Sequence, residues 1–139
     1  MSNVILLIKQ LAHRLESTVS SERVEALQEL QTLARNDPAS VGDIALASGF
    51  KILREHGNPE EYAEALDLTS RLISCSDKNV AHKNSSIILS DARNIELLLE
   101  LLEHEDLTVG VMTSQVLTEI YAANRESLEA AIQQCPDGK

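Results

Sequence analysis

The sequence predicts an all-α fold built from a repeated helical unit, and three observations predict it. Apolar residues recur at helical spacing, beginning with Leu7, Leu11 and Leu15 on one face of a first helix. Breakers are scarce: five Gly and three Pro in 139 residues leave long uninterrupted stretches. The pattern Glu-x-x-Glu-Ala-Leu, at Glu22–Leu27, returns at Glu61–Leu66, an offset of 39 residues.

Each element follows in order. After the first helix, Ser20-Ser21 offers an N-cap and Glu22 sits in the first turn, where the helix dipole favours a carboxylate. Val24, Leu27, Leu30 and Ala34 carry the rhythm until Asn36-Asp37-Pro38 stops it. A short third helix after Pro38 carries Val41, Ile44 and Leu46 to Gly49. The grammar then restarts: Phe50, Ile52 and Leu53 form a short helix ending at His56-Gly57. Asn58-Pro59-Glu60-Glu61 is the clearest start signal, with Asn58 as cap, Pro59 in the first helical position and Glu61 completing a capping box. That helix runs through Leu66, Thr69, Leu72 and Ile73; a polar stretch, Cys75–Ser86, precedes Ile87, Ile88 and Leu89. A third round opens at Asn94 with Ile95, Leu97, Leu98, Leu101 and Leu102 and breaks around Glu103–Asp106. The next helix carries Val109, Met112, Val116, Leu117 and Ile120 to Asn124, and a last one holds Leu128, Ala131 and Ile132 before the turn Pro136-Asp137-Gly138.

The third copy, around Met112–Ile120, lies about 46 residues beyond the second, and the polar Cys75–Ser86 segment absorbs the extra length as an inserted loop. A period near 40 residues, with a short helix followed by longer ones, is that of armadillo and HEAT units; the shorter tetratricopeptide period does not fit. The expectation is therefore a right-handed armadillo/HEAT-like solenoid in a single domain, with about three repeats at 1–48, 49–90 and 91–139. Units of this kind bury their apolar faces only by stacking. The apolar last helix leads us to expect that the array extends past Lys139.

Composition bounds the function. A chain of this length buries roughly two-thirds of its surface on folding, and 43% apolar residues supply a core. Two Tyr, one Phe and no Trp leave that core to Leu, Ile, Val and Ala and offer no stacking platform for single-stranded nucleic acid. Twelve Lys and Arg against 22 acids, a net charge of −10, disfavour nucleic acid and anionic lipid surfaces. Cys75 and Cys135 form no CxxC pair and read as free thiols in a reducing compartment. The apolar run Val4–Ile8 is too short for a signal or membrane segment, so a cytoplasmic protein without membrane insertion is expected.

Catalytic motifs are missing: no GxGxxG, Walker loop, GxSxG or HExxH occurs. His13, His56, His82 and His104 are dispersed, and Cys75 with His82 lacks a second half for a metal site. The expectation is a non-enzyme without catalytic residues, cofactor or metal. Binding has the better physical basis. In armadillo stacks the third helix of each unit lines a continuous concave surface, and those segments here are roughly Ala39–Ser48, Lys78–Ser90 and Arg125–Gln134. Lys78, Asn79, His82, Lys83 and Asn84 make a locally basic, amide-rich segment in an acidic chain. They are the candidate partner-binding residues, an ordinary solvated loop and helix being the plainer alternative.

Three stretches carry a family resemblance: Leu15-Glu16-Ser17-Thr18 through Arg23-Val24-Glu25-Ala26-Leu27, Ala63-Glu64-Ala65-Leu66-Asp67 to Leu72-Ile73-Ser74, and Asn94 to Glu103. Their order resembles the start of the armadillo-like head of the general vesicular transport factor family, the long Golgi tethering proteins. The closing Pro136-Asp137-Gly138 is similar to the opening of that head's next repeat, and the polar break after Ser74 falls where the family carries a longer acidic insertion. The likeness spans about Ile8 to Gly138 and rests on helix-forming Leu, Ala and Glu. It implies vesicle tethering in ER–Golgi and intra-Golgi membrane traffic, peripheral association with Golgi membranes, and a homodimer in the full-length protein. The partners it implies are Rab-class small GTPases, SNAREs and other tethering factors. Two departures stand against it: the chain is shorter than a whole head, and it has no heptad coiled coil. An armadillo-type nucleotide-exchange cofactor of Hsp70 and a cytoskeletal scaffold are the alternatives.

Overall fold

Helices form where a start signal and an inward stripe agree. In a computed structural model that describes residues 2–55 and 58–135, the chain is seven helices without a strand among those residues. They are α1 (Ser2–Arg14), α2 (Ser20–Ala34), α3 (Pro38–Glu55), α4 (Pro59–Ile73), α5 (Lys78–Leu89), α6 (Ala92–Leu101) and α7 (Leu107–Gln134). The helix end expected at His56-Gly57 and the turn at Pro136-Asp137-Gly138 lie outside the described residues.

Two rows organise the stack. α2 packs on α4, and α4 on the first part of α7 through Ser70 and Glu119. α3 packs on α5, and α5 on the later part of α7 through Ser86 and Asn124. This is the all-α helical-repeat solenoid that the period predicts. Polar contacts between units span about one period: Arg23–Glu61 are 38 residues apart, Lys83–Asp43 40, Arg54–Asn94 40 and Asn124–Ser86 38. Residues one period apart in sequence are neighbours across the stack.

The core is aliphatic. Leu27, Leu30, Leu66, Leu72, Ile95, Leu98, Val116 and Ile120 are closed to solvent, with Phe50 the one aromatic ring among them. On α1 the inward stripe is Ile8 and Leu11, continued by Leu15 just past the helix end, while Leu7 is exposed. The helix has only α2 and α3 to pack against, so its apolar arc is wider than the surface available to it.

Several local expectations are corrected. The N-cap of α2 is Val19, without a side-chain bond, and Ser20 is already helical. Ser17 instead supports this end, its Oγ accepting from the Val19 N–H at 3.0 Å and donating to Glu22 at 2.6 Å. The chain does not stop at Gly49. α3 runs through it to Glu55, because a helical glycine costs only about 1 kcal/mol and continuing the helix buries Phe50, Ile52 and Leu53. The third round starts at Ala92, capped by Asp91, not at Asn94. Arg93 donates to Asp91 and holds its carboxyl down at about 2, so the cap stays ionised further into acid than an ordinary Asp. Asn94 is buried, donating to the Ile88 carbonyl and accepting from Arg54. At Asn124 the backbone leaves helical geometry (φ −159°, ψ 64°), which divides α7 where the sequence expects a division.

The inserted loop expected at Cys75–Ser86 is also absent: only Ser74–Asp77 separates α4 from α5. Asp77 caps α5, accepting from the N–H groups of Asn79 at 3.0 Å and Val80 at 3.3 Å. Its inward stripe is Ala81, Asn84, Ser85 and Ile88. A helix whose buried face is small and polar carries no aliphatic period and reads as a loop. At Gly42 the α3–α5 contact is close: a Cβ there would collide with the side-chain amide of Asn84.

Candidate protein-interaction surface

Sequence reasoning grouped five residues on α5, and the helix separates them onto three faces. Lys78, Asn79 and His82 are exposed, and His82 lies four residues from Lys78 and three from Asn79, which places it on the same side as both. Lys83 turns toward α3 and pairs with Asp43 at 2.8 Å, both side chains about half exposed. Asn84 faces inward and is fully buried, its Nδ2 donating to the carbonyls of Leu72 at 2.9 Å and Pro38 at 3.2 Å. Asn84 is therefore a packing residue that ties the start of α3 to the end of α4, and it presents nothing to a partner. Its Oδ1 has no hydrogen-bond partner and lies against Gly42, whose Cα hydrogen is the group facing it.

The Lys78 side opens on a cleft of about 450 Å³ between the end of α4, the start of α5 and α7. Ile73, Ala81, Ala122 and Ala123 give it an aliphatic lining, and Lys78, Asn79 and His82 stand among its polar residues. Glu119 also lines it, with its carboxylate engaged by the Ser70 hydroxyl at 2.6 Å and the Gln115 amide at 3.2 Å. Ser74 and Cys75 line this cleft and also a second of about 560 Å³, which reaches Arg35, Asp37 and Arg71. Partial burial pushes the Cys75 thiol up, against a backbone hydrogen bond with Asp77 that acts the other way, and its Sγ lies 3.5 Å from the Asp77 carbonyl. Among the described residues no group of three or more His, Cys, Asp or Glu is placed to hold a metal ion.

Sequence reasoning missed the buried ion pair Arg23–Glu61, which joins α2 to α4. Arg23 Nε and Nη2 both donate to the Glu61 carboxylate, the second at 3.0 Å. Ser20 adds a bond to the same carboxylate at 2.9 Å, and Arg23 also reaches the Ser17 carbonyl at 2.7 Å. The hydrogen bond to Glu61 raises the Arg23 guanidinium above its ordinary value, with desolvation acting the other way. Glu61, expected from its local spacing to complete a capping box, is thus engaged across the stack by Arg23 and Ser20, while Asn58 caps α4 through the Glu60 N–H at 2.8 Å. The signal available was the period itself: 23 and 61 lie one repeat apart, with opposite charges.

The two ends of the second-helix row differ. α4 is covered by α7, which Ser70 reaches through Glu119. On α7 the stripe Leu107, Val111, Ser114, Thr118 and Tyr121 is exposed, with Leu107 at 80% and Val111 at 62%. Arg125 stacks over the Tyr121 ring at 5.4 Å. No helix among the described residues is long and apolar enough to cross a membrane.

No family model matches the chain. A curated relative, Golgin candidate 6 of Arabidopsis thaliana, is 30% identical over an alignment of 152 residues that covers 99% of this chain. The alignment is longer than the chain, so that relative carries extra residues within the matched stretch. The chain spans 16% of the relative's length, and over that share it is similar to a protein named as a candidate golgin.

Proposed function

We propose that this chain is a non-enzymatic protein-interaction unit of a vesicle-tethering factor acting in ER–Golgi and intra-Golgi traffic, held peripherally at Golgi membranes from the cytoplasmic side. The observation that carries the reading is the likeness to a candidate golgin along 99% of the chain. The architecture supports it: stacked helices expose long rows of side chains, suited to recognition by surface complementarity. Within the third-helix row, α5 carries two Lys and one His and no acidic residue, in a chain of net charge −10. Rab-class GTPases, SNAREs and other tethering factors are the partners this reading assigns, with dimerisation belonging to the full-length protein.

The experiment is a pull-down of GTP-loaded and GDP-loaded Rab-class GTPases with this chain and with the full-length protein that carries it, beside an Hsp70 nucleotide-release assay. Retention of a GTP-loaded form by either protein is the expected result. Retention of none, with accelerated nucleotide release from Hsp70, replaces the tether with an exchange cofactor. Failure of both assays also removes the tether reading in this form.

A further inference from the structure

We propose that the exposed stripe of α7, from Leu107 to Tyr121, is the docking face for one further amphipathic helix of the longer protein that carries this chain, and that a glutamate of that helix accepts from the Thr118 hydroxyl. The proposal concerns the internal assembly of that protein and holds whatever the stack binds. Three observations carry it.

The first is the placement of apolar side chains on α7. Its buried stripe is Val109, Thr113, Val116 and Ile120. At about 100° per residue, Leu107, Val111 and Thr118 fall on the opposite side, which on a helix facing water is polar. Here that side carries Leu107 and Val111, with Tyr121 at its edge. Apolar surface set in one line is what a packed neighbour removes from water.

The second is a polar ladder that runs along the second-helix row and stops at α7. Counted from the N-caps Val19, Asn58 and Asp106, the twelfth residue is Gln31 on α2, Ser70 on α4 and Thr118 on α7. Gln31 donates to the Glu64 carboxylate of α4 at 2.8 Å. Ser70 donates to the Glu119 carboxylate of α7 at 2.6 Å. Thr118 is exposed, and its hydroxyl turns back to the Ser114 carbonyl of its own helix at 2.9 Å. The same count carries an apolar position: the fifteenth residue is Ala34 on α2 and Ile73 on α4, both buried, but on α7 it is Tyr121, about half exposed. In both earlier steps the twelfth residue bonds a glutamate of the next helix, and Thr118 is the donor for a third step.

The third is the supply of chain. This chain spans 16% of the length of its candidate-golgin relative, and a protein of that length has sequence for another helix. A helix supplied in the same chain meets the stripe at high effective concentration. A second copy stacked head to tail fits less well, because α2, the first helix of the row, exposes Glu25 and Glu29 held by Arg14.

The test is hydroxyl-radical footprinting of Leu107 and Tyr121, read by mass spectrometry, in this chain and in the full-length protein. Both side chains are expected to label roughly fivefold slower in the full-length protein, where the stripe is stacked. Val111→Gln sets an amide in the apolar contact and is expected to bring full-length labelling back to within about twofold of this chain. In this chain alone the same variant leaves the melting temperature unchanged; if it does not, Leu107→Gln takes its place. Thr118→Val strands the partner carboxylate and is expected to raise full-length labelling of Tyr121 about twofold, whereas Thr118→Ser, which keeps the hydroxyl, does not. Equal labelling of the two proteins, protection that survives Val111→Gln, or Thr118→Val behaving like Thr118→Ser overturns the proposal. Labelling of this chain alone that falls with rising concentration, with a dimer by light scattering, assigns the stripe to a second copy and overturns it as well. The GTPase pull-down is read independently of all these outcomes.

Discussion

Arg23 and Glu61 show how a residue's role depends on what lies one period away. Each reads locally as a charge on an exposed helix, yet Arg23 is 6% and Glu61 1% exposed. Desolvating two opposite charges is tolerable only when they meet in good geometry, and here the paired bonds of the guanidinium and the hydroxyl of Ser20 satisfy the carboxylate. Glu61→Gln leaves the guanidinium buried without its counter-charge, and the expected loss of stability is about 3–5 kcal/mol, read from the urea midpoint. Replacing both partners by apolar residues, Arg23→Met with Glu61→Leu, is expected to cost much less, since neither charge is then stranded. A double variant as unstable as the single one would show that the pair's value lies in its own attraction. Asn84 makes the same point without charge: its amide bridges the Pro38 and Leu72 carbonyls while Gly42 leaves room for it.

At the scale of the element, large side chains on neighbouring helices differ in cost because their coverage differs. Ile73 on α4 is 2% exposed and Tyr121 on α7 46%. Ile73→Ala opens a cavity under α7, and the expected destabilisation is about 2–5 kcal/mol. Tyr121→Ala removes a ring that rests on solvent and Arg125, with an expected cost of about 1 kcal/mol or less. Parallel thermal denaturation of the two variants compares them directly; equal losses would mean that coverage does not set the cost. Helix α5 shows why aliphatic periodicity alone reads Cys75–Ser86 as a loop, although the order of the repeat placed a third helix at about Lys78–Ser90, as observed. Its start was legible in Asp77, a good N-cap, but its inner face of Ala81, Asn84, Ser85 and Ile88 offers one large aliphatic side chain in two turns. Gly49 was misread for the opposite reason: a residue that often ends helices was overridden by the burial of Phe50, Ile52 and Leu53 just beyond it.

For the whole molecule, a stack whose units touch only their neighbours is most stable where a helix has neighbours on both sides. α3 and α4 are such helices, α3 packed against α1, α2, α4, α5 and α6 and α4 against α2, α3, α5 and α7, whereas α1 meets only α2 and α3. Native-state hydrogen exchange is expected to show the slowest amides in α3 and α4 and the fastest helical amides in α1 and in α7 beyond Asn124. Slower exchange in α1 than in α4 would contradict a stack held by nearest-neighbour contacts. The same geometry places the candidate cleft where three helices from two successive units converge, so its shape depends on the stacking.

The sequence by itself determined the helical class, the stacking period and most helix starts, because capping residues, Pro59 and aliphatic spacing act within one or two turns. It also marked α5 as a basic segment in an acidic chain. Only the tertiary structure decided which of those five residues remain available: Lys78, Asn79 and His82 on the cleft, Lys83 with Asp43, Asn84 in the core. The reason is physical. A helix turns each successive side chain by about 100°, so residues adjacent in sequence point to different neighbours, and those neighbours come from segments about 40 residues away.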